Sequence, residues 1–431
     1  MPQAVERAVK NYPAVRASIE QAAAAAAGVD VARTAYLPRA DFAAQINRAT
    51  RNNIFGLMLP QAVIPSISGP VLGTNDLTSV WGSAAGVLVS WEPFDFGLRH
   101  ANIGVAESAK RRADAARAVT EFQVGAAAAD AFLTALAAGE KVSASRAGVE
   151  RARVLNEVVA AQAGAGLRPG ADAARTRAEV AAAQTQLIEA EQTAAVARAA
   201  LAQLLGSDAA DAALAAGPLL SAPPERSEPP PALDQHPAAR EQGAAVEESQ
   251  AREHALARSY FPKFNLQAAS YARGTGARMD GSTAGGLTGL GPNVQNWAVG
   301  MTVYFPAFEF ASLRARGRAE AHRERAETEQ YNRVVQDLEG GLAKARAQLE
   351  GARRAAANTP IELEAARAAE RQASARYKAG LGLVIEVAEA QRLLTQAEID
   401  DALARLAVWR GLLAVAAAEG NLAPFLAMAS K

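Results

Sequence analysis

Two spacings of apolar residues alternate along the chain, and each predicts a different kind of element. In the longest stretches apolar residues recur at helical intervals, as at Val334, Leu338 and Leu342, which is the spacing of one helix face. No proline interrupts residues 94–168 or 307–359. Each stretch is therefore predicted to form one unusually long helix, on the order of 100 Å for roughly 65 residues.

Strict alternation of apolar and polar residues predicts β-strands just before each long helix. Phe42, Ala44 and Ile46 alternate with polar residues. Phe264 and Leu266 do the same in the second half of the chain, and this two-residue period is that of a strand. The four predicted strands cover residues 40–48, 86–92, 263–272 and 297–305. Each half of the chain thus supplies one hairpin, whose strands are joined by a loop rich in small polar residues.

The strongest feature of the sequence is an internal duplication. Tyr36-Leu37-Pro38 reappears as Tyr260-Phe261-Pro262 at an offset of 224 residues. Phe94-Asp95-Phe96 reappears as Phe308-Glu309-Phe310 at an offset of 214. Two nearly constant offsets indicate two copies of one structural unit, with about ten extra residues in the first copy. Shared prolines and aromatic residues argue against chance similarity in an alanine-rich chain.

The duplication divides the chain into two predicted repeats, each opening with a helix that a Tyr-X-Pro motif ends. Repeat one covers residues 1–217, with an opening helix at 4–35, a long helix at 95–163 and a return helix at 171–205. Repeat two covers residues 238–422, with the corresponding helices at 238–259, 308–378 and 384–418. Residues 218–237 hold seven prolines and are predicted to form a stiff linker, and residues 423–431 form a C-terminal tail.

Composition adds two points to this picture. Half of the residues are hydrophobic but only 5% are aromatic, and so alanine-rich a chain favours long, closely packed helices. Sixteen of the 23 aromatic residues lie in 36–96 and 260–310, around the strands. This clustering is typical of the aromatic belt of a membrane barrel, with ordinary strand propensity as the alternative. The predicted belt residues are Trp81, Trp91, Phe94, Phe96, Trp297, Tyr304, Phe305, Phe308 and Phe310.

Charge and reactive residues exclude several classes of function. Lys plus Arg and Asp plus Glu number 45 each, so the chain has no net positive field to hold nucleic acid. Cysteine is absent, and none of the four histidines stands at metal-ligand spacing from another. We therefore predict no catalytic residues, no metal site, no cofactor and no nucleic-acid partner.

No segment has the composition of a membrane-spanning helix. The longest charge-free run near the start, Ile54–Asn75, contains Pro60, Pro65 and Pro70, which exclude a continuous helix. The first residues lack the basic and apolar regions of a secretory signal peptide. That is expected either of an intracellular protein or of a mature or trimmed chain.

Four strands per chain predict an oligomer. Four strands cannot close a barrel, and an open sheet edge cannot lie in lipid. Membrane barrels begin at about eight strands, so several chains must share one barrel. Three chains supply twelve strands, and the long helices would continue that barrel as a tube.

The motifs, taken in their order and with their duplication, resemble the TolC family of outer-membrane efflux proteins over residues 2–422. They include Asn11-Tyr12-Pro13, Trp91-Glu92-Pro93-Phe94-Asp95-Phe96-Gly97, Asn296-Trp297 and Tyr377-Lys378-Ala379-Gly380-Leu381. The resemblance implies a mainly α fold with a small membrane β part. Each chain would form one third of a trimeric 12-stranded β-barrel in the outer membrane, continued into the periplasm by a long α-helical barrel.

The resemblance also implies partners and a function. The partners are two further copies of the chain, a periplasmic adaptor (membrane fusion) protein, an inner-membrane pump and outer-membrane lipid. The implied function is that of a passive exit duct in a tripartite efflux or type I secretion system. A non-channel helical scaffold is the alternative, although it leaves the two matched hairpins unexplained.

Two sets of site residues follow from the resemblance. Gly166, Leu167, Gly380 and Leu381 would form the tips that meet the adaptor. The alternative is that these glycines only end helices.

Asp172, Tyr377, Glu386 and Glu389 would surround the periplasmic aperture. In a trimer the two glutamates would place six carboxylates around one constriction, and a ring of acids selects for cations. The alternative is a solvated outer face. Gly382 and Ala171 stand where the best-known member of the family has an arginine and a hydroxyl residue, which implies a weaker network of closing bonds than in that member.

Overall fold

The structure, a computed structural model, describes residues 1–50, 78–207, 217–221, 232–278, 280 and 282–430. The run Ile54–Asn75 and residues 222–231 of the predicted linker lie outside the described residues. Within the described part, the order helix, strand, strand, long helix and return helix occurs twice. The predicted fold class, mainly helical with a small antiparallel sheet, is therefore confirmed.

The helices and strands have the following bounds. The helices are α1 (Pro2–Asn11), α2 (Pro13–Thr34), α3 (Leu98–Gly164), α4 (Gly170–Leu205), α5 (Pro237–Arg258), α6 (Phe310–Lys378), α7 (Val384–Ala418) and α8 (Ala423–Met428). The strands are β1 (Arg39–Thr50), β2 (Ser79–Phe94), β3 (Lys263–Thr275) and β4 (Val294–Tyr304). The division into two repeats, a linker and a tail stays a prediction at the level of sequence.

Three elements differ from the sequence expectations. The opening helix is broken at Tyr12, which is extended (φ −66°, ψ 130°), because a following proline disfavours helical geometry. Strand β2 begins at Ser79 rather than near residue 86. Its early part is made of small residues, which hide the alternation. The tail contains α8, whose Phe425 is buried in the core.

The described residues form two compact units, and each takes segments from both predicted repeats. The first comprises Met1–Ala22, Arg112–Gly243 and Glu329–Lys431. In its core the rings of Trp409 and Phe425 lie 6.2 Å apart, and the Trp409 indole donates to the carbonyl of Ser221 at 3.2 Å. Several alanines of α3 are fully buried beside them, and their small size lets neighbouring helices approach closely.

Contrary to the sequence expectation that no segment has the composition of a membrane-spanning helix, one stretch of helix α3 is long and apolar enough to cross a membrane by length and composition. Half of that stretch is buried within the protein. Its residues include Phe132 and Leu133, which belong to the core of the first unit. We therefore interpret α3 as a packed core helix rather than a membrane span.

The second unit comprises Ala23–Arg111 and Ala244–Thr328 and contains the sheet. The strand order is β1-β2-β3-β4, with every neighbouring pair antiparallel. Strands β1 and β4 therefore form the two edges. The two hairpins join through β2 and β3, so residues more than 170 positions apart in sequence become neighbours, as for Leu88 and Ala269.

Candidate functional site

The two helical turns have the same backbone geometry. Gly166 and Gly380 both have a φ of 74°, a left-handed conformation that glycine adopts without steric cost. The amide of Leu167 donates to Gln162 O at 2.9 Å, and that of Leu381 donates to Arg376 O at 2.9 Å. The amides of Gly166 and Gly380 each donate at 3.0 Å to the carbonyl three residues earlier, and the two bonds of each turn form the Schellman pattern that ends a helix. Glycine at these two positions is therefore required by the backbone.

Leucine follows the glycine in both turns and is exposed. The exposed fractions are 75% for Leu167 and 73% for Leu381. A hydrophobic residue at this position of a Schellman motif commonly packs back onto its own helix. Here both side chains lie mostly in solvent, as does Leu383 at the start of α7. The turns thus present apolar side chains that the protomer itself does not cover.

Tyr377, a predicted aperture residue, is buried near the second turn. Its hydroxyl donates to Oε1 of Gln162 at 2.8 Å, which links the end of α6 to the end of α3. The guanidinium of Arg168 lies 5.0 Å from the centre of the Tyr377 ring, within reach of a cation–π interaction. Burial raises the pKa of the Tyr377 phenol, while the charge of Arg168 lowers it and that of Asp172 raises it. The phenol therefore stays protonated and acts as a donor.

Glu386 and Glu389, also predicted for the aperture, lie in the first two turns of α7. Both are exposed. Glu389 lines a groove of about 600 Å³ between α3, α4 and α7, together with Glu179 and Arg392. The carboxylate of Glu386 stands beside Gly382, where an added methyl group would lie 3.2 Å from Oε2. Among the predicted aperture residues, Tyr377 is thus bonded to Gln162, whereas the two glutamates lie on an exposed face.

The two faces of the sheet differ sharply in polarity. One face carries polar residues across all four strands, including Gln45, Gln267, Arg273 and Asn296. The opposite face is apolar and exposed, and we name it the apolar face. Its largest exposed side chains are Phe42, Ile46, Val87, Val89, Trp91, Trp297, Val299, Met301 and Val303. Arg48, near the end of β1, is its single charged residue within the described strands.

The predicted belt residues divide into groups at different levels of the sheet. At the end that meets the helices, Phe94 and Phe96 form one ring cluster with Phe261 and Phe264. A second cluster joins Phe305 and Phe310 to Tyr260.

The other belt residues lie outside these ring clusters. Phe308 is fully exposed, and the Trp91 indole donates to the carbonyl of Tyr36 at 3.1 Å. Trp81 lies at the opposite end of the sheet under the guanidinium of Arg48, at 5.2 Å. Trp297 stands alone between the two levels. One aromatic group is thus concentrated where the strands become helices.

The junction between β2 and α3 contains a buried ion pair that the sequence analysis did not single out. Asp95 accepts from the backbone N–H of Arg99 at 2.7 Å and from its Nε at 3.0 Å. Arg99 also donates to Ala35 O at 3.2 Å and stacks over Tyr36 at 4.7 Å. Phe96, which lies between Asp95 and Arg99 in the sequence, has a φ of 53°. The signal in the sequence was an aspartate one helical turn before an arginine, with Gly97 between them.

Comparison with known proteins agrees with this architecture. The profile of outer membrane efflux proteins matches residues 4–207 and 229–421. Solved structures with the same fold include the outer-membrane channel OprN, at 21% identity and TM-score 0.75, covering 97% of this chain and 89% of that chain. The CmeC outer membrane channel of Campylobacter jejuni matches at 15% identity and TM-score 0.77, covering 97% and 85%. The outer membrane protein VceC of Vibrio cholerae matches at 16% identity and TM-score 0.74, covering 97% and 95%.

No curated protein sequence matches the chain significantly. The fold is nevertheless the one found in these outer-membrane channel structures. Because the family profile matches both halves of the sequence, the chain belongs to the outer membrane efflux protein family.

Proposed function

We propose that three copies of this chain form an outer-membrane exit duct with a periplasmic extension. The duct serves a tripartite efflux or type I secretion system and passively conducts small molecules or proteins delivered by an inner-membrane pump. The observation that carries this proposal is the four-stranded sheet with one apolar, exposed face and two unpaired edges.

The sheet edges support the trimer. Strands β1 and β4 each pair with one neighbour only within the described chain, and unpaired backbone groups in lipid cost several kcal/mol each. Pairing β4 of one copy with β1 of the next satisfies both edges. Three copies then close a twelve-stranded barrel with the apolar face outward and the polar face around the lumen.

The spacing of the aromatic residues supports placement in a membrane. Trp81 and Trp91 lie on the same strand and the same face, ten residues apart. At about 3.3 Å per residue they are roughly 33 Å apart along the strand. A strand tilt of about 40° reduces this to about 25 Å of height, which is the apolar thickness of an outer-membrane barrel.

The helical turns support a docking role. Two turns with the same backbone geometry present Leu167 and Leu381 in solvent. Exposed apolar residues beside polar ones are typical of protein interfaces. The proposed partner at these turns is a periplasmic adaptor, and the cluster of Tyr377, Gln162 and Arg168 lies directly behind them to hold the aperture. In that cluster Arg168 supplies a cation 5.0 Å from the centre of the Tyr377 ring.

The oligomeric state tests the proposal. In mild detergent the protein is expected to have a mass of about three times 44.7 kDa, after the bound detergent is subtracted. Reconstituted protein is also expected to form open pores in planar bilayers. A stable, folded and detergent-independent monomer would contradict the barrel and favour a non-channel scaffold.

A further inference from the structure

The start of helix α6 carries arginines without acidic partners. Arg314 and Arg318 are one turn apart on the same helix face, and both are exposed. Neither forms an ion pair or a hydrogen bond with any other residue that the structure describes. Glu309 accepts from the Tyr304 hydroxyl, and the next acid along the helix, Glu320, pairs with Arg323. The two guanidinium groups are therefore available to an anion outside the chain.

The position of Arg314 relative to the apolar face indicates which kind of anion the two arginines would bind. Phe305 follows Val303 with the spacing of the apolar face, and Phe310 packs edge-on against Phe305 at 5.8 Å. Arg314 lies one helical turn after Phe310 and so shares its side of the helix. Helical side chains lean towards the N-terminus, so both arginines lean back towards the aromatic end of the sheet.

The matching position of the first repeat lacks this feature. The offset of 214 residues places His100 and Gly104 opposite Arg314 and Arg318. The arginine that does occur there, Arg99, is buried and bonded to Asp95. The unpaired arginines are thus specific to the second repeat and are not required by the strand-to-helix junction.

We propose that Arg314 and Arg318, with the fully exposed Phe308, bind the phosphate headgroup of an anionic phospholipid at the leaflet nearest the helices. Phe308 inserts among the acyl chains and the guanidinium groups hold the phosphate oxygens by charge-assisted hydrogen bonds. This surface is the headgroup patch. The inference rests on the proposed membrane insertion of the sheet.

The test compares lipid binding by wild type and by the double variant Arg314→Gln/Arg318→Gln. Purified protein in nonionic detergent is titrated with phosphatidylglycerol or with phosphatidylcholine, and bound lipid is counted by native mass spectrometry. Wild type is expected to prefer phosphatidylglycerol. The variant is expected to lose this preference by about fivefold for each arginine removed, the effect of a basic residue near an anionic surface.

A matched control removes the same charge from the same helix. Arg353 and Arg354 are exposed residues of α6 about 40 positions further on, and Arg353→Gln/Arg354→Gln is expected to keep the preference. Equal preference in the wild type and the Arg314→Gln/Arg318→Gln variant would overturn the headgroup patch. Loss of the trimer in that variant, with unchanged lipid preference, would also overturn it and would place the arginines between subunits.

Reconstitution into phosphatidylcholine vesicles separates this inference from the proposed function. The wild type, the Arg314→Gln/Arg318→Gln variant and the Arg353→Gln/Arg354→Gln control are all expected to insert into these vesicles and to form pores. Insertion without a preference for anionic lipid would overturn the headgroup patch alone. Failure of all three to insert would overturn the proposed function together with the patch.

Discussion

At the scale of single residues, His236 is held in one tautomer. Its Nε2 lies 3.1 Å from the carbonyl of Ala417 and its Nδ1 accepts from the N–H of Ala238 at 3.1 Å, so Nε2 carries the proton. Burial lowers the pKa of His236 below its usual 6.5, although the bond to Ala417 opposes this. A proton added to Nδ1 would remove the bond to Ala238.

The lowered pKa of His236 therefore leads us to expect that the free energy of unfolding falls in mild acid. The unfolded chain takes up a proton near the usual histidine pKa, before the folded protein does. The stability due to neutral His236 is thus complete above that value and is lost as pH falls below it. The midpoint of thermal unfolding, followed by circular dichroism from about pH 7.5 to 5, is expected to fall more for wild type than for His236→Gln. The exposed His322 provides the control, because His322→Gln should keep the wild-type slope.

Replacement of glycine by alanine is expected to have opposite effects on stability at Gly380 and at Gly340. Gly380→Ala places a side chain at a φ of 74° and is expected to destabilise the protein by about 1 kcal/mol. Gly340→Ala, in the exposed middle of α6 with open space around it, is expected to stabilise it by about 0.5–1 kcal/mol. Chemical denaturation of both variants measures the difference, and equal effects would contradict the left-handed turn.

At the scale of elements, adjacent residues of β4 lie in two different environments. Met301 points to the apolar face and is 65% exposed, while Thr302 lies on the polar face. In a lipid bilayer Met301→Arg is expected to cost about 2–4 kcal/mol, whereas a charge on the lumen side costs little. Unfolding of liposome-reconstituted Met301→Arg and Thr302→Arg variants checks this prediction. Equal destabilisation by both would argue against contact between this face and lipid.

At the scale of the whole molecule, the proposed trimer leads to a prediction about ion selectivity. If Glu386 and Glu389 surround its periplasmic aperture, six carboxylates would lie around one constriction and draw in cations. Planar-bilayer recordings are expected to show cation preference, and block by multivalent cations from the periplasmic side. Glu386→Gln/Glu389→Gln should weaken both. Glu362→Gln/Glu364→Gln removes the same charge from exposed positions of α6 and should change neither. Unaltered selectivity in the first variant would place these glutamates away from the constriction.

The order of elements could be predicted because its signals are local. Val334, Leu338 and Leu342 share one helix face whatever lies around them, and the alternation at Phe42, Ala44 and Ile46 holds along β1. Prolines and glycines end these elements by restricting or freeing the backbone of their own residue and its neighbour. The duplication then repeated each signal, which made the element order, the hairpins and the two glycine turns readable.

The partners of individual side chains could not be predicted in this way. The bond from Tyr377 to Gln162 spans 215 positions, and a side chain at Gly86 would collide with Tyr271 on the paired strand β3. Neither contact produces a periodic pattern in the sequence, because each contact depends on which helices and strands become neighbours. Likewise Trp409 and Phe425 meet only because α8 folds back onto α7.

The sequence by itself thus determined the kinds of element, their order, their duplication and the alternation of the strands, since each depends on short-range geometry of the backbone. Only the tertiary structure decided that the exposed face of the sheet is the apolar one and that Arg168 lies over Tyr377. It also decided that Arg314 and Arg318 have no acidic partner among the residues that the structure describes. Those outcomes depend on burial and on distances between segments far apart in the chain.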